Sequence, residues 1–294
     1  MSAERPPTID PVAAARWQRA APARSPWLHE EVGRRMEERL EWIRRTPQAW
    51  ADWEPVRGGL EAHARVARRY PAARLHVVES QPARAQAARQ ALAAPWWRRM
   101  GAPRIDFSPP APGTVEMVWA NMLLHLQADP QQLLRAWHEA LAPEGFLMFS
   151  CLGPDTVREL RELYAQLGWP PAGHEFTDMH DWGDMLVAAG FAEPVMDMER
   201  ITLTFPTAER LLAELRELGP NLHPQRFARL RGRAWHAALL QALAARLPGA
   251  DGQPALTFEV VYGHALKPPP RARVAPESAV PLADLRAMLG RGRR

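Results

Sequence analysis

Residues 118–126, VWANMLLHL, are followed by residues 141–150, LAPEGFLMFS, and these two stretches decide the fold. Each contains a short apolar run that ends in small or polar residues, and the amphipathic segment 130–141 joins them. This order predicts a strand, a helix and a second strand of a parallel sheet. Open parallel sheets bind ligands at the carboxyl ends of their strands, so we expect a site just after Ala120.

Strand and helix patterns alternate on both sides of this unit. The predicted strands are 49–53, 75–79, 104–107, 116–120, 145–150, 195–205 and 257–266. The predicted helices are 60–70, 84–94, 130–141, 178–189, 207–218 and 225–246. Alternation in units of this size predicts an α/β fold with a mostly parallel twisted sheet and helices on both faces. The two late strands predict an antiparallel edge.

The chain ends differ in composition from its body. Residues 1–24 are rich in Pro, Ala and Arg, and we expect a loosely ordered segment there. A helix is predicted to follow, with Ser25 as its N-cap and Pro26 in its first turn. The predicted parts are a flexible segment (1–24), a domain (25–267) with an N-terminal lid helix (25–47) and two halves (48–150 and 151–267), and a basic Pro/Arg-rich tail (268–294).

Composition limits the class of protein. The chain has 294 residues, of which 47% are hydrophobic, and it has no apolar run long enough to span a membrane. The single cysteine, Cys151, excludes a disulfide framework and a cysteine-rich metal site. Of the 37 basic and 33 acidic residues, seven basic and two acidic ones lie in 267–294, so the body is nearly neutral. We therefore expect a cytoplasmic protein whose core binds no nucleic acid.

Four segments carry a resemblance to a known family. The chain resembles class I S-adenosylmethionine-dependent methyltransferases, in the branch of the malonyl-acyl-carrier-protein O-methyltransferase of biotin synthesis. The resemblance covers most of residues 12–267 and implies a Rossmann-like class I methyltransferase fold. The segments that carry it are FSCLGPDTVREL (149–160), DMHDWGD (178–184), AGFAEPVMD (189–197) and FEVVYGHA (258–265).

The resemblance implies methyl transfer from S-adenosylmethionine to a carboxylate of a substrate bound to an acyl carrier protein. Such a carboxylate is already a nucleophile, so we assign no catalytic acid or base and expect the protein to contribute orientation. The implied partner is the acyl carrier protein or another acidic protein. Two alternatives remain: a catalytically degenerate assembly or binding protein, and a protein-arginine hydroxylase like the mitochondrial relative in this branch.

The resemblance also implies a set of cofactor-binding residues. A carboxylate at the end of the second strand holds ribose hydroxyls, because it accepts two hydrogen bonds at once. An acid after the third strand contacts the adenine, and the turn after the fourth strand lies where cofactor and methyl acceptor meet. The implied residues are Asp52, Glu54, Gly58, Gly59, Glu79, Asp106, Phe107, Asn121 and Met122.

The loop after the first strand departs from the family pattern. It reads DWEPVRGG over residues 52–59, and Glu54 and Val56 stand where the family has glycines. Only glycine adopts a positive φ at little cost and leaves room for a ligand beside the main chain. The two substitutions favour the alternatives without methyl transfer, whereas Glu79 and the region of Asn121 favour the enzyme.

Four further residues are candidates for the substrate side. His125 follows the predicted fourth strand and could act as a polar contact, although a lone histidine is more often an ordinary hydrogen-bonded residue. Arginine anchors carboxylates and phosphates, which makes Arg200, Arg226 and Arg229 candidates. Their alternative interpretation is a solvated surface.

Overall fold

The computed structural model describes residues 9–93, 105–247, 249 and 251–270. Its sheet comprises β1 (Ala49–Trp53), β2 (Arg74–Val78), β3 (Ile105–Asp106), β4 (Val115–Ala120), β5 (Leu141–Leu152), β6 (Ala192–Thr204) and β7 (Ala255–Leu266). The strands lie in the order β3-β2-β1-β4-β5-β7-β6. Strands β1 to β5 pair in parallel, and β7 runs antiparallel to both of its neighbours. The predicted α/β fold class with an antiparallel edge is confirmed.

Ten helices surround this sheet in the described part of the chain. They are α1 (Pro11–Ala20), α2 (Trp27–Glu38), α3 (Pro55–Gly58), α4 (Leu60–Arg69), α5 (Pro82–Ala91), α6 (Pro130–Ala140), α7 (Arg158–Gln166), α8 (Met179–Ala188), α9 (Ala208–Leu218) and α10 (Arg233–Arg246). The helix predicted over 225–246 begins only at Arg233. Within the described residues, none of these helices has the length and apolarity needed to cross a bilayer.

Apolar side chains alternate between the two faces of the central strands. Trp50 and Trp119 pack on one face, in the cluster that α2 and α4 cover. Ala51 and Val118 pack on the other, against α6 and α8. Both faces are therefore buried, as parallel sheets require, and polar groups gather at the carboxyl ends of the strands.

The N-terminal region differs from the prediction. Part of the segment expected to be loose forms α1, whose N-cap Asp10 accepts hydrogen bonds from the backbone of Val12 and Ala13. The backbone N–H of Asp10 donates to Leu222 at 2.8 Å, which ties the helix to the body. The predicted N-cap of α2 is also wrong: Pro26 takes that position, and the Ser25 hydroxyl donates to Glu30 instead.

Candidate active site

The loop between β1 and α3 keeps the backbone shape of a glycine turn. Glu54 lies in the left-handed region, with φ 59° and ψ 46°. A non-glycine residue there costs on the order of 1–2 kcal/mol, so surrounding contacts must hold it. Val56, where a positive φ would be unfavourable, lies instead within the helical turn α3 and is fully buried. The strain expected at Val56 is therefore carried by Glu54.

The side chain of Glu54 takes part in a buried cluster of three ionisable side chains. Arg84 of α5 donates to Glu54 Oε2 through Nη2 at 2.9 Å and through Nε at 3.2 Å. Its Nε also lies 3.3 Å from Glu79 Oε2. The backbone N–H of Val56 donates to Glu79 Oε1 at 2.8 Å, and that of Ser80 donates to Glu54 Oε1 at 2.9 Å. Both carboxylates at the ends of β1 and β2 are thus engaged by the protein itself.

Burial makes this cluster a coupled titrating unit. Burial and the neighbouring Glu54 carboxylate raise the pKa of Glu79 to about 8. The pKa of Glu54 is lowered, because hydrogen bonds and the charge of Arg84 outweigh the effect of its burial. Two carboxylates this close share a proton as a pair. Near pH 7 the pair therefore carries about one negative charge, which the guanidinium of Arg84 balances.

Helix α1 lies over this cluster. Arg84 Nη1 donates to the backbone oxygen of Gln18 at 2.7 Å, and Nη2 donates to its side-chain oxygen at 3.2 Å. Trp17, in the segment expected to be loosely ordered, lines the same space, whereas Trp27 of the predicted lid helix is 60% exposed. The covering element is therefore α1 together with the segment that joins it to α2.

Arg57 holds the segment between α1 and α2 by hydrogen bonds. Its guanidinium donates to the backbone oxygens of Arg24 at 2.8 Å and of Glu217 at 2.6 Å. The second acceptor lies at the C-terminus of α9, where the helix dipole favours a cation. Burial lowers the pKa of Arg57 to about 10, which still leaves it charged at neutral pH. Arg57 lies in α3 next to Gly58, and its long cationic side chain lines the same space as Glu54 and Arg84.

Asn121, directly after β4, joins three elements. Its Nδ2 donates to the backbone oxygen of His29 at 2.7 Å and to that of Gly58, and its Oδ1 accepts from the Ser150 hydroxyl at 2.6 Å. The next residue, Met122, turns back with φ 55°, and its N–H donates to the oxygens of Ser150. The polar side chain after the buried strand is thus satisfied by α2, the β1 loop and β5.

We call the space between these groups the β1 crevice; its walls are Trp17, Gln18, Ala21, His29, Glu54, Arg57, Gly58, Arg84, Asn121, Met122, Leu123 and Leu126. Its free volume is about 20 Å³. That is room for about one water molecule, whereas S-adenosylmethionine has a nucleoside and an amino-acid chain. In this conformation the residues present do not fit that ligand.

Asp52 and Gly59 are two further predicted cofactor residues, and neither lines the β1 crevice. Asp52 Oδ2 is 2.7 Å from His63 Nδ1, and burial raises the pKa of Asp52. Gly59, with φ 133°, faces Glu30: an added Cβ would lie 2.7 Å from Glu30 Oε2, which accepts from the first turn of α4.

The predicted adenine contacts lie on the outermost strand of the parallel side. Asp106 accepts from the Ser108 hydroxyl at 2.7 Å, and Phe107 lies under the guanidinium of Arg89. Neither residue lines the β1 crevice. Their cofactor-binding roles, like those of Asp52, Glu54, Gly58, Gly59, Glu79, Asn121 and Met122, remain predictions.

A second cavity lies beyond Leu126, which lines both spaces. We call it the histidine pocket; its walls are His125, Leu126, Leu152, Thr156, Val157, Leu160, Ala172, Gly173, His174, Phe176, Leu215, Leu218, Gly219, Pro220, Asn221 and Phe258. Its volume is about 110 Å³. The walls are mainly apolar and include no arginine or lysine.

The two histidines of this pocket are neutral and have defined tautomers. His174 Nε2 lies 3.1 Å from the backbone oxygen of His125, so Nε2 carries the hydrogen and Nδ1 is an acceptor. That Nδ1 is buried without a hydrogen-bond partner among the described residues. His125 Nδ1 accepts from the Leu152 N–H at 3.4 Å, so its Nε2 is a donor. Burial lowers the pKa of His174 to about 4 and that of His125 well below its usual value.

The predicted substrate arginines are not in this pocket. Arg200 pairs with Asp155 at 2.7 Å on β6. Arg226 pairs with Asp10 at 2.7 Å and thereby helps to hold α1. Arg229 lies exposed in the segment that precedes α10. Of the four predicted substrate-side residues, His125 alone lines the pocket, and all four roles remain predictions.

Sequence reasoning missed Arg84, Arg57 and Gln18, which close the β1 crevice. Arg84 lies thirty positions after Glu54 in an alanine-rich helix, so no local motif marks it. One signal was available: a carboxylate at a glycine position requires a compensating cation when it is buried. Arg57 lies within the loop, and Arg84 is the first cation after the second strand.

Comparison with known proteins places these features in a family. The family model described as a methyltransferase domain matches residues 58–149. The malonyl-[acyl-carrier protein] O-methyltransferase of Gallionella capsiferriformans is 38% identical over 253 residues, covering 83% of this chain and 85% of the relative. That of Laribacter hongkongensis is 38% identical over 271 residues, covering 89% and 88%. The YcgJ protein of Bacillus subtilis shares the fold, with TM-score 0.53 and 11% identity over 80% of this chain and 98% of that one.

Proposed function

Because the chain belongs to the malonyl-[acyl-carrier protein] O-methyltransferase family, we propose that it methylates the free carboxylate of a malonyl group on an acyl carrier protein, with S-adenosylmethionine as methyl donor, in biotin synthesis. The resemblance found in the sequence is confirmed. The observation that carries the proposal is 38% identity spanning 83% of the chain. An aligned stretch of 253 residues is too long to lie within one half of the domain.

The histidine pocket supports this reaction class on the acceptor side. A carboxylate needs no general base, and His125 and His174 are both held neutral by burial. The apolar walls suit the uncharged thioester and carbon chain of an acyl group. His174 Nδ1 offers an acceptor, and His125 Nε2 a donor, for the amide of a thioester arm. The protein's contribution would be to position and desolvate the acceptor.

The segment 226–233 supports docking of an acidic carrier protein. It contains Arg226, Arg229, Arg231 and Arg233 and no acidic residue. Leu230 is fully exposed and Phe227 is 42% exposed, so apolar and cationic groups lie side by side on one surface. Residues 219–221, just before this segment, line the histidine pocket. An acyl carrier protein bound here would have its substrate arm close to the pocket mouth.

A charge reversal tests this docking surface. We expect Arg229→Glu to raise KM for malonyl-acyl carrier protein by about fivefold, since a rim charge changes mainly association, and to leave KM for malonyl-coenzyme A unchanged. Arg210→Glu on α9, where Arg210 pairs with Glu214, is the matched control. An equal change with both substrates, or none with either, would contradict docking at this surface.

The closed β1 crevice favours a second candidate function, that of an assembly or binding protein that keeps the family fold and does not transfer a methyl group. A buried and fully paired cluster in place of open space would serve as a structural contact between α1 and the sheet. Titration of the full chain with S-adenosylmethionine by calorimetry, followed by a methyl-transfer assay on malonyl-acyl carrier protein, separates the two candidates. Methyl ester formation establishes the enzyme; binding without transfer, or no binding at millimolar ligand, favours the second candidate.

A further inference from the structure

We infer that Arg84 is an internal occupant of the cofactor crevice: it competes with S-adenosylmethionine for Glu79, and the pairing of Glu54 with Arg84 lowers the affinity of this chain for the cofactor. The inference rests on the proposed function for the identity of the ligand. The inference goes beyond the proposed function because it assigns the affinity for the methyl donor to two side chains, Glu54 and Arg84.

The first support is competition for the same atoms. The carboxylate at the end of β2 is the acceptor that the family resemblance assigns to the ribose hydroxyls. Here Val56 N–H occupies Glu79 Oε1 at 2.8 Å and Arg84 Nε lies 3.3 Å from Oε2. A ribose that enters must therefore displace the guanidinium, since the backbone contact belongs to the loop itself.

The second support is charge complementarity inside the loop. Glu54 takes the left-handed backbone of a glycine but adds a carboxylate, and its two contacts with Arg84, at 2.9 and 3.2 Å, are shorter than the contact of Arg84 with Glu79. The side chains of both residues are nearly inaccessible, at 7% for Glu54 and 2% for Arg84. Glu54 is thus the main anchor of the occupant.

The third support is the coupling to α1. Arg84 donates to the backbone and side-chain oxygens of Gln18, so the guanidinium joins the loop to the covering helix. When Arg84 leaves the crevice, α1 loses both of these contacts. Cofactor entry and loosening of α1 are consequently one event, which gives the inference a readout independent of turnover.

The test compares the full-length wild type with Glu54→Gly/Arg84→Ala. The double variant restores glycine and leaves Glu79 without its cationic competitor. We expect calorimetry to give a Kd for S-adenosylmethionine and for S-adenosylhomocysteine at least tenfold lower than in the wild type. Without ligand, we expect faster hydrogen exchange in residues 12–20. Glu54→Gly alone is the milder variant; we expect it to give a smaller gain in affinity.

The matched control is Glu37→Ala/Arg69→Ala, which removes an ion pair of 2.5 Å between α2 and α4, away from the crevice. Its Kd for the cofactor should equal that of the wild type. Equal Kd values for the wild type and for both loop variants, when circular dichroism shows that they are folded, would overturn the inference. A double variant that binds tightly but transfers no methyl group to malonyl-acyl carrier protein contradicts the proposed function and leaves the inference standing.

Discussion

The β1 crevice and the histidine pocket lie side by side, share Leu126 as a wall, and are built on opposite principles. The crevice is lined by the charged side chains of Glu54 and Arg84, Arg84 also contacts Glu79, and the free volume beside them is about 20 Å³. The pocket is apolar, has about 110 Å³ of free volume, and leaves an acceptor on His174 without a partner. The proposed donor side is therefore closed by charges of the protein, and the proposed acceptor side is open and its walls carry no charge.

The largest effect should come from breaking the crevice cluster on one side only. Arg84→Ala leaves two buried carboxylates without their cation, which costs about 3–5 kcal/mol of unfolding free energy. Urea denaturation at pH 7 measures the loss. Glu54→Gly/Arg84→Ala should lose clearly less, because a single carboxylate remains. If Arg84→Ala is as stable as the wild type, water reaches the cluster and solvates its carboxylates.

The next effect comes from filling the histidine pocket. Gly173 lines the pocket, and an added Cβ would meet no atom within 4 Å. We expect Gly173→Leu to lower kcat/KM for malonyl-acyl carrier protein at least tenfold, about 1.4 kcal/mol, with little change in stability. Gly183→Leu on α8 is the control, since an added Cβ there would meet its nearest atom, on Met196, only at 4.0 Å, and Gly183 lies neither in the pocket nor in segment 226–233. Unchanged kinetics in Gly173→Leu would remove the pocket from the acceptor site.

Lowering the pH should destabilise the folded chain through His174 of the histidine pocket. The pKa of His174 is about 4 in the folded chain and near 6.5 when unfolded, so the unfolded state binds the extra proton below pH 6.5. Stability contributed by neutral His174 falls by about 2 kcal/mol between pH 6.5 and pH 5. Urea midpoints across this range measure it, and His174→Phe should show a shallower slope. Identical slopes would mean that His174 protonates inside the fold.

Raising the pH should destabilise the folded chain through Glu79, so this pH dependence has the opposite sign to that of His174. The pKa of Glu79 is about 8 in the folded chain, whereas an unfolded glutamate titrates near 4.3. Between these two pKa values the folded state holds a proton that the unfolded state has lost, so stability falls as the pH rises to about 8 and levels off above it. The loss between pH 7 and pH 9 should be on the order of 1 kcal/mol. Glu79→Gln should abolish this slope, and its persistence would assign the titration to another group.

The sheet could be predicted because its signals are local. The alternation of Met117, Val118 and Trp119 between two buried faces follows from a repeat of two residues. The glycine-poor loop at Glu54 was also visible as a departure from the family pattern. Helix α1 was missed although Asp10 and Pro11 are local start signals, because the composition of residues 1–24 predicted a loose segment and the contacts that hold the helix, with Leu222 and Arg84, are distant in sequence.

The sequence by itself determined the α/β architecture and the family, and it predicted a site after β1, β2 and β4. Tertiary structure alone decided that the loop keeps a glycine-like backbone with Glu54 in it, and that Arg84 fills the space beside Glu79. The physical reason is the distance along the chain over which each interaction acts. Strand periodicity and turn chemistry act between neighbours, whereas a buried charge is stabilised by whichever cation the fold brings within hydrogen-bond distance, here thirty residues away.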